Sequence, residues 1–309
     1  MIYTAINIGP IYATMSMARK PREFWQASYM FSHLMKCILE TLPSKAIVMS
    51  PCIPDNSACE VGLFPDRTFF KTEQPVDVDA ILDAGMDKFF QDIRLPKEVI
   101  KDYFNVMAIS LDCQSDRQAI ALLNERLNFL ELTNYAPSEE TSEKIRALLM
   151  MTYDSPLYKI AFGQKKFNIE TLESIATYEL RHFNVQRKSY HDYICIVQAD
   201  GDNMGNVVSH LPDNHLHDIS EQLMQFGQKA CGLISRFGGL PIYAGGDDLL
   251  FIAPVWGGEN VPQNIYALLN DLDSAYKTVA NKVKELNLTD ENGNAIQTSM
   301  SYGLSVTYP

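Results

Sequence analysis

The chain has 309 residues and a formal net charge of −12 at pH 7, from 38 acidic and 26 basic side chains. This balance argues against a protein that holds nucleic acid through its overall field, because such binding rests on lysine and arginine neutralising phosphates. Hydrophobic residues make up 46% of the chain, enough for the cores of about two domains, and no apolar run approaches the roughly 18 to 20 residues of a membrane span.

The first 112 residues predict a domain with the element order βαββαβ, which is the ferredoxin-like order. The periodicity predicts strands at 2–8, 46–49, about 62–70 and roughly 103–111, and helices at 12–40 and 78–91. The hairpin region of this unit holds Phe64-Pro65-Asp66-Arg67 and no pair of adjacent acids. Residues 1–112 are therefore predicted to form a domain without metal ligands.

Residues 113–188 predict a helical domain between two similar units. Helical segments are expected at 120–130, 141–151 and 169–183. Pro137 and Asp154-Ser155-Pro156 separate them, because proline and short polar residues interrupt helices.

Residues 189–309 repeat the βαββαβ order. Strands are expected at 193–199, 240–244, 249–254 and 299–308, with a first helix that ends at Gly238-Gly239. A second helix at 263–286 places one apolar face toward the core, formed by Ile265, Leu268, Leu269, Leu272, Tyr276, Val279 and Val283. The sequence thus predicts an α+β fold, with two ferredoxin-like (βαββαβ) domains and an intervening helical domain.

Two acidic clusters lie at strand ends of the C-terminal unit. Asp200-Gly201-Asp202 follows its first strand, and Gly245-Gly246-Asp247-Asp248 forms the turn of its hairpin. These strands are neighbours in this topology, so Asp200 is predicted to lie beside Asp247 and Asp248. Carboxylates that converge repel one another unless cations lie between them, and Mg²⁺ or Mn²⁺ prefers oxygen ligands.

We therefore predict that Asp200, Asp247, Asp248 and the Gly201 carbonyl hold two divalent ions. Such a pair supports in-line nucleotidyl transfer, with Asp247 and Asp248 as the catalytic residues.

A triphosphate site is predicted next to these acids. Asn203, Met204 and Gly205 open the following helix, where free amides and the helix dipole favour phosphate. Gly245 and Gly246 add little bulk, so a nucleotide can approach the turn closely. The alternative interpretation is a capped turn followed by an ordinary hairpin tip.

The cysteines favour neither disulfides nor structural zinc. There are six, with no Cys-x-x-Cys pair, and Cys52 and Cys59 flank a loop as a weak metal-binding alternative. Residues 1–30 lack the apolar block of a signal peptide, so we predict a cytoplasmic protein that is not bound to a membrane.

Three ordered segments, 8–32, 199–205 and 245–248, resemble the large polymerase-like subunit of type III CRISPR effector complexes, of the Cmr type. The first contains Ile8-Gly9-Pro10-Ile11 and a run from Ala18 to Ser32. The resemblance implies two palm, or nucleotidyl cyclase, domains facing each other across a composite ATP pocket, with metal ligands in the second palm. It also implies that Ser28 and Tyr29 of the first palm face the second nucleotide.

The implied activity is conversion of ATP into a cyclic oligoadenylate messenger joined by 3′-5′ bonds, triggered by target RNA. The implied partners are other effector subunits and, through the complex, guide RNA and target RNA. The nuclease domain that precedes the palm in many relatives is missing, so we predict no DNA cleavage. The family continues beyond the position of Pro309, which implies a fragment or a truncated natural form.

Three alternatives remain open at this stage. In the first, the adenylyl group of ATP is transferred to another acceptor, such as S-adenosylmethionine. In the second, the chain is a non-catalytic scaffold that binds ATP. A stand-alone dinucleotide cyclase also fits the hairpin, but not the duplicated palm.

Overall fold

The structure is a computed structural model and describes residues 1–54, 60–132, 135–151, 154–163 and 171–309. Cys59 and the first two residues of the predicted helix at 169–183 lie outside these ranges. Within them, the chain forms two four-stranded antiparallel sheets, a two-stranded ribbon and the helices that cover them.

The N-terminal unit has the predicted βαββαβ order, with β1 and β3 at the centre of its sheet. The strand order is β2-β3-β1-β4. Its elements are β1 (Ile2–Gly9), α1 (Ile11–Met15), α2 (Pro21–Glu40), β2 (Ile47–Ser50), β3 (Arg67–Thr72), α3 (Val78–Ile93), α4 (Lys97–Ile100) and β4 (Asn105–Asp112), with a 3₁₀ turn at Lys101–Tyr103.

Two N-terminal boundaries differ from the sequence prediction. The expected helix at 12–40 is broken into α1 and α2, and Pro21 starts α2 because proline suits the first helical position, where its missing N–H costs nothing. The expected strand at 62–70 begins only at Arg67. Gly62 instead forms an isolated bridge with Tyr243 of the second sheet, so this stretch joins the two units.

The middle helices pack against both sheets. Helix α5 covers β4 and β1, helices α6 and α7 contact α2, and α8 contacts β7. The domain boundaries at 113–188 stay a prediction. The elements are α5 (Asp116–Glu131), α6 (Glu139–Met150), α7 (Pro156–Phe162), α8 (Leu172–Ala176) and α9 (Tyr178–His182), so two short helices stand where one was expected at 169–183.

The C-terminal unit repeats the fold, with strand order β10-β5-β7-β6. Gly238 ends α11 with φ +96°, as its position predicted. The elements are a 3₁₀ turn (Ser189–Asp192), β5 (Ile194–Gly201), α10 (Met204–His210), α11 (Leu216–Phe237), β6 (Leu240–Gly245), β7 (Asp248–Pro254), β8 (Trp256–Gly257), β9 (Gln263–Asn264), α12 (Ile265–Glu285) and β10 (Met300–Thr307). Both sheets thus confirm the predicted α+β, ferredoxin-like fold.

Helix α2 lies at the centre of the molecule. It contacts β1 of its own sheet, α3, α6 and α7, and also β6 of the second sheet. Trp25, on α2, is 1% exposed and its indole N–H donates to the Glu60 carbonyl oxygen at 2.9 Å. The two sheets therefore share one hydrophobic core, and residues lining α2 are placed between them. No helix in the described ranges is both long and apolar enough to cross a lipid bilayer.

Candidate functional site

Three carboxylates meet at one edge of the second sheet. β5 pairs with β7 through Ala199 and Leu249, which brings the end of β5 beside the hairpin turn. A Cβ placed on Gly201 would lie 2.6 Å from the Asp247 Cβ and 3.1 Å from its Oδ2, so Asp247 rests directly on the backbone of Gly201. The Asp200 carboxyl group lies near enough to Asp248 to raise the pKa of Asp248. The structure thus brings Asp200, Asp247 and Asp248 together.

This crowding raises the pKa of both Asp247 and Asp248. Asp248 is open to solvent on one side, while the surrounding protein displaces water and raises its pKa, with further contributions from Asp247, Asp200 and Asp66, to about 7. Loss of solvent around Asp247, followed by the charge of Asp200, raises the pKa of Asp247 as well. A set of hard oxygen donors under mutual repulsion fits Mg²⁺ or Mn²⁺. The metal role of the Gly201 carbonyl stays a prediction.

Asp202 belongs to the same sequence motif but has a different role. Ser299 and Ser301 donate hydroxyl hydrogen bonds to its carboxylate at 2.5 and 2.6 Å, and these hydrogen bonds lower its pKa. Its amide also donates to the Ser299 carbonyl oxygen at 2.8 Å. Asp202 therefore fastens the end of β5 to the start of β10, which makes it a matched control for Asp200.

The Tyr276 hydroxyl group packs against the backbone of Gly201. The sequence analysis did not identify this contact. A Cβ on Gly201 would lie 2.7 Å from the Tyr276 hydroxyl oxygen. That hydroxyl shares a hydrogen bond of 2.8 Å with Thr298, whose own hydroxyl lies 2.8 Å from the Asp202 carbonyl oxygen. The apolar pattern of α12 indicated only that Tyr276 is buried, because such a pattern does not specify which residues of other elements pack against it.

The predicted phosphate-binding residues stand at the start of α10. Asn203 adopts φ +67° ahead of the helix and donates from Nδ2 to the Gln297 carbonyl oxygen at 3.1 Å. The Met204 side chain points into the core, and Gly205 faces open space. In the hairpin turn, Gly245 is buried, and Gly246 has φ +67° with nothing close to it. Nucleotide binding by these residues stays a prediction.

A cavity of about 530 Å³ opens between the two sheets beside Asp248. This volume lies within the range of small-molecule sites, roughly 300 to 1,000 Å³. Its walls come from both units, because α1, α2 and residues before β3 face β5, β6 and β7 across it. The lining residues are Ile11, Tyr12, Met15, Ser16, Phe24, Ser28, Phe31, Ser32, Phe64, Asp66, Gln198, Tyr243, Asp248, Leu249 and Leu250.

Of the two first-unit residues predicted to face a nucleotide, Ser28 lines this cavity and Tyr29 does not. Tyr29 stacks on Trp25, with ring centroids 5.0 Å apart, and on His33, 6.1 Å away. Adjacent residues on a helix point about 100° apart, since 3.6 residues make one turn, so one lines the wall while the other enters the core.

Asp66 is an acidic residue of this cavity that sequence reasoning passed over. It is accessible from the cavity, but the surrounding protein raises its pKa, and its charge raises the pKa of both Asp248 and Tyr243. It stands in the stretch that occupies the hairpin region of the first repeat. That symmetry was an available signal, because the two hairpin regions of a duplicated fold take equivalent positions.

Comparisons with known families agree with this architecture. Residues 193–309 match the family model described as Cas10/Cmr2, second palm domain, and residues 3–148 match the model for the N-terminal part of the CRISPR-associated protein Cmr2. The chain belongs to the Cas10/Cmr2 family. The second sheet therefore lies in the part of the chain that matches the second palm domain. No curated protein matches this Cas10/Cmr2 chain significantly in sequence.

Solved structures share the fold at low sequence identity. The type III-B Cmr-beta complex bound to cognate target RNA matches with TM-score 0.59 and 10% identity, over 99% of this chain and 66% of that chain. The Csm1-Csm4 cassette matches in complex with one ATP (TM-score 0.54, 11% identity, 99% and 50% of the chains) and with cA4 (0.53, 10%, 98% and 49%). This Cas10/Cmr2 chain spans between about half and two thirds of the length of these structures.

Proposed function

We propose that this chain transfers the adenylyl group of ATP in a reaction that requires two divalent ions, Mg²⁺ or Mn²⁺. The observation that carries the proposal is the convergence of Asp200, Asp247 and Asp248, of which Asp248 lines the cavity between the palms. Asp247 and Asp248 are the proposed catalytic residues, and all three carboxylates are the proposed metal ligands.

The chemistry is an in-line displacement. A hydroxyl oxygen of the acceptor bonds to the α-phosphorus of ATP, the bond from that phosphorus to the bridging oxygen breaks, and pyrophosphate leaves while the hydroxyl proton passes to solvent. When bound, the two ions neutralise charge on the phosphates as it develops. The positive-φ turn at Gly246 leaves open space for the phosphates, and Ser28 and Ser32 offer hydroxyl groups from the opposite wall.

The proposed product is a cyclic oligoadenylate, formed when two ATP molecules share the cavity. The proposed setting is a cytoplasmic type III effector complex with other subunits and guide RNA, in which target RNA switches the reaction on. Support comes from relatives of the same fold: the Csm1-Csm4 cassette is described in complex with ATP and with cA4, and the Cmr-beta complex with cognate target RNA.

The experiment uses the assembled complex with target RNA, ATP and Mn²⁺, and measures pyrophosphate release together with product mass. Asp247→Asn and Asp248→Asn each lower the rate by more than about 100-fold, because loss of a metal ligand removes several kcal/mol of transition-state stabilisation. Asp202→Asn keeps the rate within about threefold. Wild-type rates in both ligand variants would remove the proposal, and ATP binding without pyrophosphate release in the wild type would favour the scaffold alternative.

Asp66 favours a second candidate, in which S-adenosylmethionine replaces ATP as the acceptor. A carboxylate in the first-palm half of the cavity repels a second triphosphate and attracts a sulfonium cation. The bond changes at phosphorus are the same, with a hydroxyl of S-adenosylmethionine as the attacking group.

A further inference from the structure

We propose that His33, Cys37 and Asp92 form a zinc-binding site that fastens α2 to α3 in the first palm. His33 and Cys37 lie one helical turn apart on α2, so their side chains share a face, and Asp92 reaches them from the end of α3. The three potential ligand atoms all lie within 4.8 Å of one another. This site is separate from the proposed magnesium site, to which it contributes no residue.

The separations among the ligand atoms fit one face of a zinc tetrahedron. Bonds of about 2.3 Å to sulfur and about 2.0 to 2.1 Å to nitrogen and oxygen at tetrahedral angles place sulfur about 3.5 Å from the other two atoms, which lie about 3.3 Å apart. The observed distances are 3.7 Å from Cys37 Sγ to His33 Nε2, 3.7 Å from Sγ to Asp92 Oδ2, and 3.0 Å from Nε2 to Oδ2. A cation enters with shifts of a few tenths of an ångström.

The neighbours of His33 hold its ring in the ligating orientation. The imidazole stacks on Tyr29, with ring planes 6° apart, and packs against Phe89 at a centroid distance of 6.0 Å. His33 is 7% exposed and Cys37 is 0% exposed. Rings locked by packing keep Nε2 directed at Asp92, and such outer support is what orients metal-ligating histidines.

Asp92 supplies the way in. Its side chain is 36% exposed and lines a cavity of about 470 Å³. A cation can therefore reach the buried sulfur and nitrogen from the Asp92 side, and a water molecule has room to complete the tetrahedron.

The donor types select zinc over the ions proposed for the acid cluster. A thiolate and an imidazole suit Zn²⁺, whereas Mg²⁺ and Mn²⁺ take oxygen ligands. Binding requires that the Cys37 thiol lose its proton, so one proton passes to solvent for each zinc bound at this sulfur.

Cobalt substitution tests the site in the chain of residues 1–309, without ATP or RNA. After treatment with a chelator, the protein is titrated with Co²⁺. We expect a thiolate-to-cobalt charge-transfer band that saturates at one equivalent and disappears when Zn²⁺ is added. Co²⁺ at the Asp200 cluster gives no such band, because that cluster contains no sulfur, so the result is independent of the proposed function.

Variants complete the test. Cys37→Ser abolishes the band and Cys52→Ser, a change at a half-buried cysteine elsewhere, retains it. Asp92→Asn, at the solvent side of the site, keeps the fold and raises the Co²⁺ dissociation constant at least about tenfold. Absence of the band in the wild type would overturn the proposal, and so would a band that Asp92→Asn leaves at full affinity.

Discussion

The backbone of Gly201 lies against the side chain of Asp247 so closely that a methyl group at position 201 would sit 2.6 Å from the Asp247 Cβ. Real Cβ contacts are longer than this, and the Tyr276 hydroxyl closes the other side at 2.7 Å. A residue larger than glycine must therefore displace the carboxylate, the tyrosine or the strand end. Asp247 can take this position only because residue 201 is a glycine and has no side chain.

Gly201→Ala therefore tests the geometry of the site without removing any of its carboxyl groups. We expect adenylyl transfer to fall at least about tenfold, because relieving an overpacked contact of this kind costs about 1 to 3 kcal/mol and moves Asp247. Pyrophosphate release by the assembled complex measures the effect. The control is Gly232→Ala on α11, where an added Cβ meets only the flexible end of Arg236 at 3.4 Å. Equal rates for both variants would contradict the prediction.

Asp200 and Asp202 differ by two positions in sequence and are expected to differ in metal binding. Asp200→Asn raises the dissociation constant for Mn²⁺ at least about tenfold, because one of three converging anionic ligands becomes neutral. Asp202→Asn leaves that constant unchanged, since the carboxylate of Asp202 already accepts hydrogen bonds from Ser299 and Ser301. Electron paramagnetic resonance of free Mn²⁺ during titration measures both constants. A loss of affinity in Asp202→Asn equal to that in Asp200→Asn would contradict the assignment.

Asp66 is expected to decide between acceptors. With ATP and S-adenosylmethionine present together, Asp66→Asn lowers the ratio of product linked to S-adenosylmethionine over product made from ATP alone by about tenfold. The reason is that removing the negative charge of Asp66 weakens its attraction for the sulfonium cation by about 1.4 kcal/mol, which corresponds to a factor of ten. Mass analysis of the products gives the ratio, and Asp83→Asn, at an exposed ion pair, is the control. An unchanged ratio would show that Asp66 does not distinguish the acceptors.

The ion pair of Lys71 with Asp116 is expected to control acid stability. The Lys71 Nζ lies 2.8 and 3.0 Å from the two carboxylate oxygens of Asp116. The Lys71 side chain is 10% exposed and the Asp116 side chain is 6% exposed. Burial alone would raise the pKa of Asp116, but hydrogen bonds from Lys71, the Asn214 amide and Tyr3 outweigh it and lower the pKa. The pKa is therefore lower in the folded state, so the stabilisation is present above the unfolded value near 3.8 and is lost as pH falls below it.

Asp116→Asn is expected to cost about 3 to 5 kcal/mol at neutral pH, because it leaves the Lys71 charge buried without its anionic partner. Urea unfolding at pH 7 measures this cost, and the same measurement between pH 5 and 3 shows a shallower decline in the variant than in the wild type. The double variant Lys71→Met with Asp116→Asn recovers part of the loss, since the unpaired charge is gone. Wild-type stability and acid response in Asp116→Asn would refute this account.

The repeated βαββαβ order could be predicted because its signals are local. Short apolar runs mark β5 and β7, and spacings of three and four mark α11 and α12. Glycines mark the C-terminal end of α11 and the hairpin turn. The meeting of Asp200 with Asp247 and Asp248 also followed, because neighbouring strands in this topology end side by side. The break between α1 and α2 was missed, because Pro21 was compatible with either a helix start or a kink within one helix.

What the chain determined by itself was the set of elements, their order and the strand ends that carry the acids. The tertiary structure alone decided which side chains meet across separate elements. It directs Ser28 into the cavity and Tyr29 into the core, places Asp66 opposite Asp248, and joins Cys37 to Asp92 across 55 positions of sequence. The physical reason is that periodicity specifies the buried face of an element, whereas the partner of that face depends on the packing of the whole molecule.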